Sequence, residues 1–192
     1  QSTPIQLCLM TAQIANGGYQ IKPRIIFDKT KNNLKEYLDF KLKNPQEPIP
    51  ADLLIKNLNL KPLFENQENI NIIKDAMFSS SNEPGGTSYR HRMENPKFTF
   101  AGKTGSSQIK KFTEAQRIAE VKQKDLNYKD RDHALFVAFA PYKDPKYAIS
   151  VVVEHGGSGG SAAAPIAKKV IKRVLERHEF RHEVNSSKGE SI

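Results

Sequence analysis

Two apolar runs constrain the fold of this chain more than any other feature: residues 133–141 (HALFVAFAP) and 146–154 (KYAISVVVE). Both are rich in the β-branched and aromatic residues that fit a pleated surface. The short polar link between them has hairpin spacing, so they read as an antiparallel strand pair. The next segment, 155–160 (HGGSGG), is a Gly-rich turn. It leads into a helix expected over about 162–178, with Ile166, Val170 and Val174 as its apolar stripe and Ile171 and Leu175 beside it.

Upstream, the pattern is helical. Thr3 is a good N-cap, Pro4 falls at the first helical position and Gln6 completes a capping box. Ile5, Leu9, Ala12, Ile14 and Ala15 trace one face, and Gly17-Gly18 stops the helix. Tyr19 to Phe27 reads as a strand interrupted by Pro23, hence an edge or irregular segment. A second amphipathic helix starts near Asn66–Asn69, carries Ile70, Ile73 and Met77 at helical spacing, and ends at residues 79–82 (SSSN). Pro84-Gly85-Gly86-Thr87 is a turn.

Composition sets outer limits. The chain has 192 residues, 38% hydrophobic and 27% charged, which fits one domain with a modest core and long solvated segments. The formal net charge is +9. Its Lys and Arg are dispersed, with clusters only in two charged inserts, near 28–62 and 109–132, and in the last helix. A solvated surface accounts for this better than a nucleic-acid site. The first insert includes a short helix from Pro50; the second is expected to be a mobile helix or loop. Residues 179–192 have little to bury and are expected to form a disordered tail. The single cysteine, Cys8, sits in the apolar pattern of the first helix and reads as a buried thiol. No apolar run reaches the roughly 18 residues of a membrane span. His133, His155, His178 and His182 lack metal-ligand spacing, and no cofactor is expected. His133 opens a strand and reads as structural.

The chemistry concentrates at residues 101–108 (AGKTGSSQ), where Lys103-Thr104-Gly105 ends a strand-like run. Alternation puts Lys103 and Gly105 on one face and Thr104 and Ser106 on the other. If this strand borders a cleft, its backbone can pair with an extended peptide. Gly105 permits close approach of a ligand. The Lys103 ammonium offers positive potential to a carboxylate, and the Thr104 and Ser106 hydroxyls can donate to it. Taken alone, the triplet also fits a plain surface strand with a Gly bulge. Two further matches are decoys. Ser107-Gln-Ile-Lys110 spells Ser-x-x-Lys, but that chemistry needs Ser and Lys one helical turn apart, and a strand sends them to opposite faces. Ser80-Ser81-Asn82 spells Ser-x-Asn at a helix end, where a helix-stop role is expected. The 155–160 turn lacks the spacing of a phosphate cradle.

In order, the helix ending at Gly17-Gly18, the Lys-Thr-Gly strand, the strand pair and the Gly-rich turn before SAAAP resemble the C-terminal part of a penicillin-binding transpeptidase domain. The match is to the class B, elongation-type group (penicillin-binding protein 2) and covers most of residues 2–178. The resemblance implies an α+β fold, an antiparallel sheet flanked by helices. It implies a serine D,D-transpeptidase that cross-links peptidoglycan through an acyl-enzyme and is acylated by β-lactams. A β-lactamase or β-lactam sensor of the same fold, and a non-enzymatic basic interaction module, stand as alternatives.

By the same resemblance, Lys103, Thr104, Gly105 and Ser106 are catalytic. Lys103, Thr104, Ser106 and Ser107 contact substrate, and the Ser106 N–H is one of two oxyanion donors. The family commonly has Thr where Ser106 stands; the hydroxyl and N–H are kept. The nucleophilic Ser-x-x-Lys and the Ser-x-Asn motif are expected upstream of Gln1, so the 192 residues alone are expected to be inactive. Implied partners are peptidoglycan stem peptides or their lipid-linked precursor polymer, β-lactams and cell-elongation membrane proteins, with no nucleic acid. The implied location is the periplasmic face of the bacterial inner membrane, with the anchor outside this chain. The family's five-stranded sheet would lack two strands here, leaving 146–154 an open edge and the chain prone to self-association.

Overall fold

The computed structural model describes residues 2–21, 23, 44, 63–111, 113, 114, 118, 119 and 121–189, the side chains of Gln67 and of 180–189 excepted. The expected insert at 28–62, the short helix from Pro50 and most of the irregular strand after Tyr19 lie outside the described residues.

Helix α1 (Pro4–Ala15) begins as its sequence dictates. The Thr3 side chain accepts from the Gln6 N–H, and the Gln6 side chain accepts from the Thr3 N–H. Gly17 and Gly18 follow at φ 91° and 86°, a conformation that stops a helix at little cost only in glycine. Helix α2 (Gln67–Asn82) is capped by Asn66, whose side chain accepts from the Glu68 N–H.

Three strands follow in the described residues: β1 (Ala101–Ser107), β2 (His133–Ala140) and β3 (Tyr147–Val153). They form an antiparallel sheet in the order β1-β2-β3, with Lys103 opposite Val137 and Phe136 opposite Val151. The expected strand pair is therefore a hairpin, closed by the Lys146 N–H on the Ala140 carbonyl at 3.0 Å. A wide π-helical turn (Gly159–Ala163) leads into α3 (Ala164–Gly189).

The sheet is buried on both faces, which is why β2 reads as a near-continuous apolar run. On one face Phe100, Ala134, Phe136, Ala138 and Ala140 pack against Ala163, Ala164, Ala167, Ile171 and Leu175 at the start of α3. On the other, Ala101 and Phe139 meet Ala15 of α1 and Met77 of α2. An antiparallel sheet flanked by helices is the architecture the sequence implies.

Three local expectations need correction. In α1, Thr11 and Ala15 are buried whereas Ile5 is 55% exposed. In α3, the buried line is Ala164, Ala167, Ile171 and Leu175, while Ile166 and Val170 are each 44% exposed. Small alanines at 164 and 167 let the first turns of the helix approach a sheet face already filled by Phe100 and Phe136, with Ile166 and Val170 turned outward. The helical backbone also runs to Gly189, past the end expected near His178 and into the supposed tail. No Gly or Pro interrupts residues 166–188, so nothing local stops it.

Candidate functional site

Strand β1 is one edge of the sheet, and α2 occupies the first half of its outer side. The Asn82 side-chain amide donates to the Phe100 carbonyl at 2.9 Å, and the Ser81 hydroxyl to the Gly102 carbonyl at 3.3 Å. Ser80-Ser81-Asn82 thus ends α2, as expected, and also stitches that end to β1. The next outward carbonyl, that of Thr104, accepts from its neighbour Lys103 Nζ at 3.0 Å. Backbone groups of one residue point the same way in a strand and alternate along it. The N–H and C=O of Ser106 therefore share the outer edge with the carbonyls of Gly102 and Thr104.

Side chains separate as alternation requires. Lys103 and Gly105 lie on the sheet face that carries α1 and α2. Lys103 is exposed, and a Cβ on Gly105 would meet only the Leu135 side chain, at 3.5 Å. Thr104 and Ser106 lie on the α3 face. There the Thr104 hydroxyl is 3.0 Å from that of Thr87, which is 3.2 Å from that of Ser80. The Ser106 hydroxyl donates to the Gly157 carbonyl at 3.4 Å. Both hydroxyls are thus engaged by flanking turns, which strand alternation alone could not reveal. Ser107, exposed at the end of β1, pairs with His133 across the sheet. It continues the strand, so Ser107 and Lys110 do not share a helical turn.

Two turns clamp this strand. The 84–88 turn is pressed on α2: the Ser88 N–H and hydroxyl both donate to the Ser80 carbonyl at 3.1 Å. A Cβ on Gly86 would lie 2.4 Å from that carbonyl oxygen, so only glycine fits. The 155–160 turn is a strand-to-helix connection, as expected, and its Gly159 lies directly on the backbone of Gly105 and Leu135. Thr87 was not visible as a site residue in the sequence; it stood only as the end of a Pro-Gly-Gly turn.

Other features lie apart from β1's exposed end. A polar recess of about 410 Å³ is lined by Asn71, Lys74, Asp75, Tyr142 and Lys143. The Tyr142 hydroxyl donates to the Asp75 carboxylate, and this bond with burial pushes the phenol up to about 12. The Tyr142 N–H donates to the Thr99 carbonyl, placing the recess beside the start of β1. Cys8 is partly buried against the Ala148 carbonyl, and burial raises its thiol above the ordinary range. Among the described residues, no group of three His, Cys, Asp or Glu is arranged to hold a metal ion.

This geometry can bind an extended peptide along the outer edge of β1, with a cation and an outward N–H near its end. The chain matches the family profile of the penicillin-binding protein transpeptidase domain over residues 1–172. It is 31% identical over 170 residues to the peptidoglycan D,D-transpeptidase MrdA of Salmonella typhimurium, spanning 88% of this chain and 24% of that protein. Against MrdA of Escherichia coli it is 26% identical over 163 residues, 82% of this chain and 22% of that protein. Its fold is similar to that of the penicillin-binding protein PBP2 of Helicobacter pylori solved in complex with MreC, with a TM-score of 0.60 and 26% identity. That match covers 91% of this chain and 25% of the other. The PBP2 of Pseudomonas aeruginosa in complex with WCK 5153 gives a TM-score of 0.58 at 28% identity, over 91% of this chain and 31% of that one. The chain spans about a quarter of the length of the curated relatives it matches.

Proposed function

The chain belongs to the penicillin-binding protein transpeptidase-domain family, and from that premise we propose that it is the substrate-edge portion of a serine D,D-transpeptidase that cross-links peptidoglycan. The observation that carries the proposal is β1: an edge strand with exposed Lys103, accessible Gly105 and an outward Ser106 N–H. In the proposed reaction a serine attacks the penultimate D-Ala carbonyl of a stem peptide, D-Ala leaves, and the amine of a neighbouring stem peptide resolves the acyl-enzyme. A β-lactam acylates the same serine.

Five residues of β1, 103–107, then have roles. The stem peptide extends along the outer edge. Lys103 provides positive potential for the terminal carboxylate. Gly105 lets the substrate backbone approach. The Ser106 N–H donates to the developing oxyanion, where one such donor contributes about 3–4 kcal/mol. The Thr104 and Ser106 hydroxyls contact the carboxylate end, exchanging or sharing their bonds to Thr87 and Gly157, and Ser107 contacts substrate from the other face of the strand. The nucleophile comes from elsewhere in the full-length protein. Ser107 is the only serine here with Lys at the third position after it, and it lies in a strand.

The partners we propose are peptidoglycan stem peptides or their lipid-linked precursor polymer, β-lactams, and cell-elongation membrane proteins. The MreC complex of the Helicobacter pylori relative supports the last of these. The proposed location is the periplasmic face of the inner membrane, with the anchor outside these residues. The test is enzymatic: the full-length protein should release D-Ala from a stem pentapeptide and hold a penicillin as a stable adduct. Rapid turnover of the penicillin would make it a β-lactamase, and no adduct would remove the acyl-transfer reading.

We further infer that the 192 residues, expressed alone, self-associate through β3. This strand is the other edge of the sheet among the described residues, and Tyr147 and Val152 are 37% and 38% exposed. Cys8 of α1 meets the outward Ala148 carbonyl, and the part of the edge beyond it is the part that recruits another strand. Light scattering should show dimers or larger species, and Val152→Lys should shift them toward monomer. A monodisperse monomer with 147–153 protected from hydrogen exchange would contradict the inference.

A further inference from the structure

The segment entering β2 is fixed by its own side chains. Asp132 and Gln123 form a reciprocal pair: the Gln123 amide donates to the Asp132 carboxylate, and the Asp132 N–H to Gln123 Oε1, each at 2.8 Å. The Ile109 N–H donates to the other Asp132 oxygen at 3.2 Å. The Arg131 guanidinium donates to the Leu126 and Lys124 carbonyls at 3.1 and 3.2 Å. From this frame the Asp132 carbonyl accepts the Gly157 N–H at 2.8 Å. The described part of the second insert is thus docked on the 155–160 turn.

Two imidazoles hold that turn in an unusual conformation. His155 has φ 54°, the only positive φ of a non-glycine among the described residues. Such a conformation costs an ordinary residue roughly 1–2 kcal/mol, so it persists only where its surroundings enforce it. The His155 N–H donates to His133 Nδ1 at 3.0 Å, and His155 Nδ1 meets the Arg131 carbonyl at 3.2 Å. A carbonyl only accepts, so His155 Nδ1 carries a proton; His133 Nδ1 accepts, so it carries none. The His133 and Tyr128 rings each lie 5.0 Å from the His155 ring.

The turn so held presses on β1. Its Gly157 carbonyl takes the Ser106 hydroxyl. A Cβ on Gly159 would lie 2.2 Å from the Leu135 carbonyl oxygen and 2.7 Å from that of Gly105, so the two backbones are in direct contact. We propose that His133 and His155 are positioning residues for the Ser106 N–H, acting through the 155–160 turn, and that the neutral form of His133 is the one that holds it. The inference rests on the reading of Ser106 as an oxyanion donor.

The chemistry makes the device sensitive to acid. An imidazolium carries N–H on both nitrogens and cannot accept. Protonating His133 therefore breaks the bond to His155 and sets two donors against each other. Among the described residues, the titratable and charged groups next to His133 are His155 in ring contact with it, Tyr128 in ring contact with His155, Arg131 and Asp132 just before it in the chain, and Glu154 just before His155. β1 presents only the uncharged Ser107 opposite it. Asparagine at 133 would offer Oδ1 as an acceptor that acid does not remove.

The experiment uses the full-length protein and a fluorescent penicillin, with binding and acylation constants resolved separately. His133→Ala should lower the acylation constant about tenfold at about pH 7.5 with the binding constant little changed, since small displacements of a catalytic group cost that much or more. His133→Asn should restore most of the loss. As acid protonates His133, wild type should lose acylation more steeply than His133→Asn, whose acceptor acid does not remove. Wild type and His133→Asn sharing one pH profile would overturn the inference even if His133→Ala fails to fold. So would His133→Ala acylating as fast as wild type. A wild-type protein that takes no label at all would instead overturn the transpeptidase reading beneath it.

Discussion

Replacing Lys103 with Ala in the full-length protein should slow acylation by a penicillin at least about 100-fold, the scale of losing one preorganised electrostatic contact in acyl transfer. Stability should change by no more than about 0.5 kcal/mol, as for most exposed substitutions. The contrast follows from the position of the side chain. Lys103 is exposed and, among the described residues, its ammonium bonds only the carbonyl of the next residue in its own strand. Removing it breaks no packing and strands no buried partner. What is lost is a positive charge on the face of β1 that carries α1 and α2. Stopped-flow labelling and thermal unfolding on the same preparation check both halves. Equal acylation of Lys103→Ala and wild type would remove Lys103 from the site.

The complementary expectation concerns a residue with no chemistry of its own. Phe136→Ala should cost about 3–5 kcal/mol of stability, the range for deleting a fully buried aromatic side chain. Phe136 is 0% exposed, stands edge-on to Phe100 with ring centroids 6.0 Å apart, and reaches over Gly102. Its ring fills the space that a Cβ on Gly102 would need, so the cavity left by Ala opens directly beneath β1. Urea unfolding should show a lower midpoint, with acylation falling as β1 loosens. A loss under about 1 kcal/mol would mean that the α3 face of the sheet can collapse around the gap.

These two residues mark what the sequence made legible and what it did not. The β2–β3 hairpin was readable because a sheet covered on both faces needs apolar residues at nearly every position of its central strand. The start of α1 was readable because a capping box is a local device, complete within Thr3 to Gln6. The face of α3 was not. Ile166 and Val170 outweigh Ala164 and Ala167 in hydrophobicity, but close approach to Phe100 and Phe136 favours small side chains. At the site, the strand character of β1 and the division of its side chains between two faces followed from the motif and period two. The engagement of Thr104 by Thr87 and of Ser106 by Gly157 did not, because it depends on turns distant in sequence. His133 read as structural at the head of a strand. Its acceptor role becomes visible only with the positive φ of His155, which no local pattern announces.

The central claim is that these residues supply the substrate edge and one oxyanion donor, while the attacking serine lies elsewhere in the full-length protein. Peptide mapping by mass spectrometry after incubation with a penicillin tests this most directly, on the full-length protein and on the 192-residue chain in parallel. The account predicts one acylated serine in the full-length protein, outside residues 1–192, and no adduct on the shorter chain. An adduct on Ser107, or on any other residue of this sequence, would contradict it.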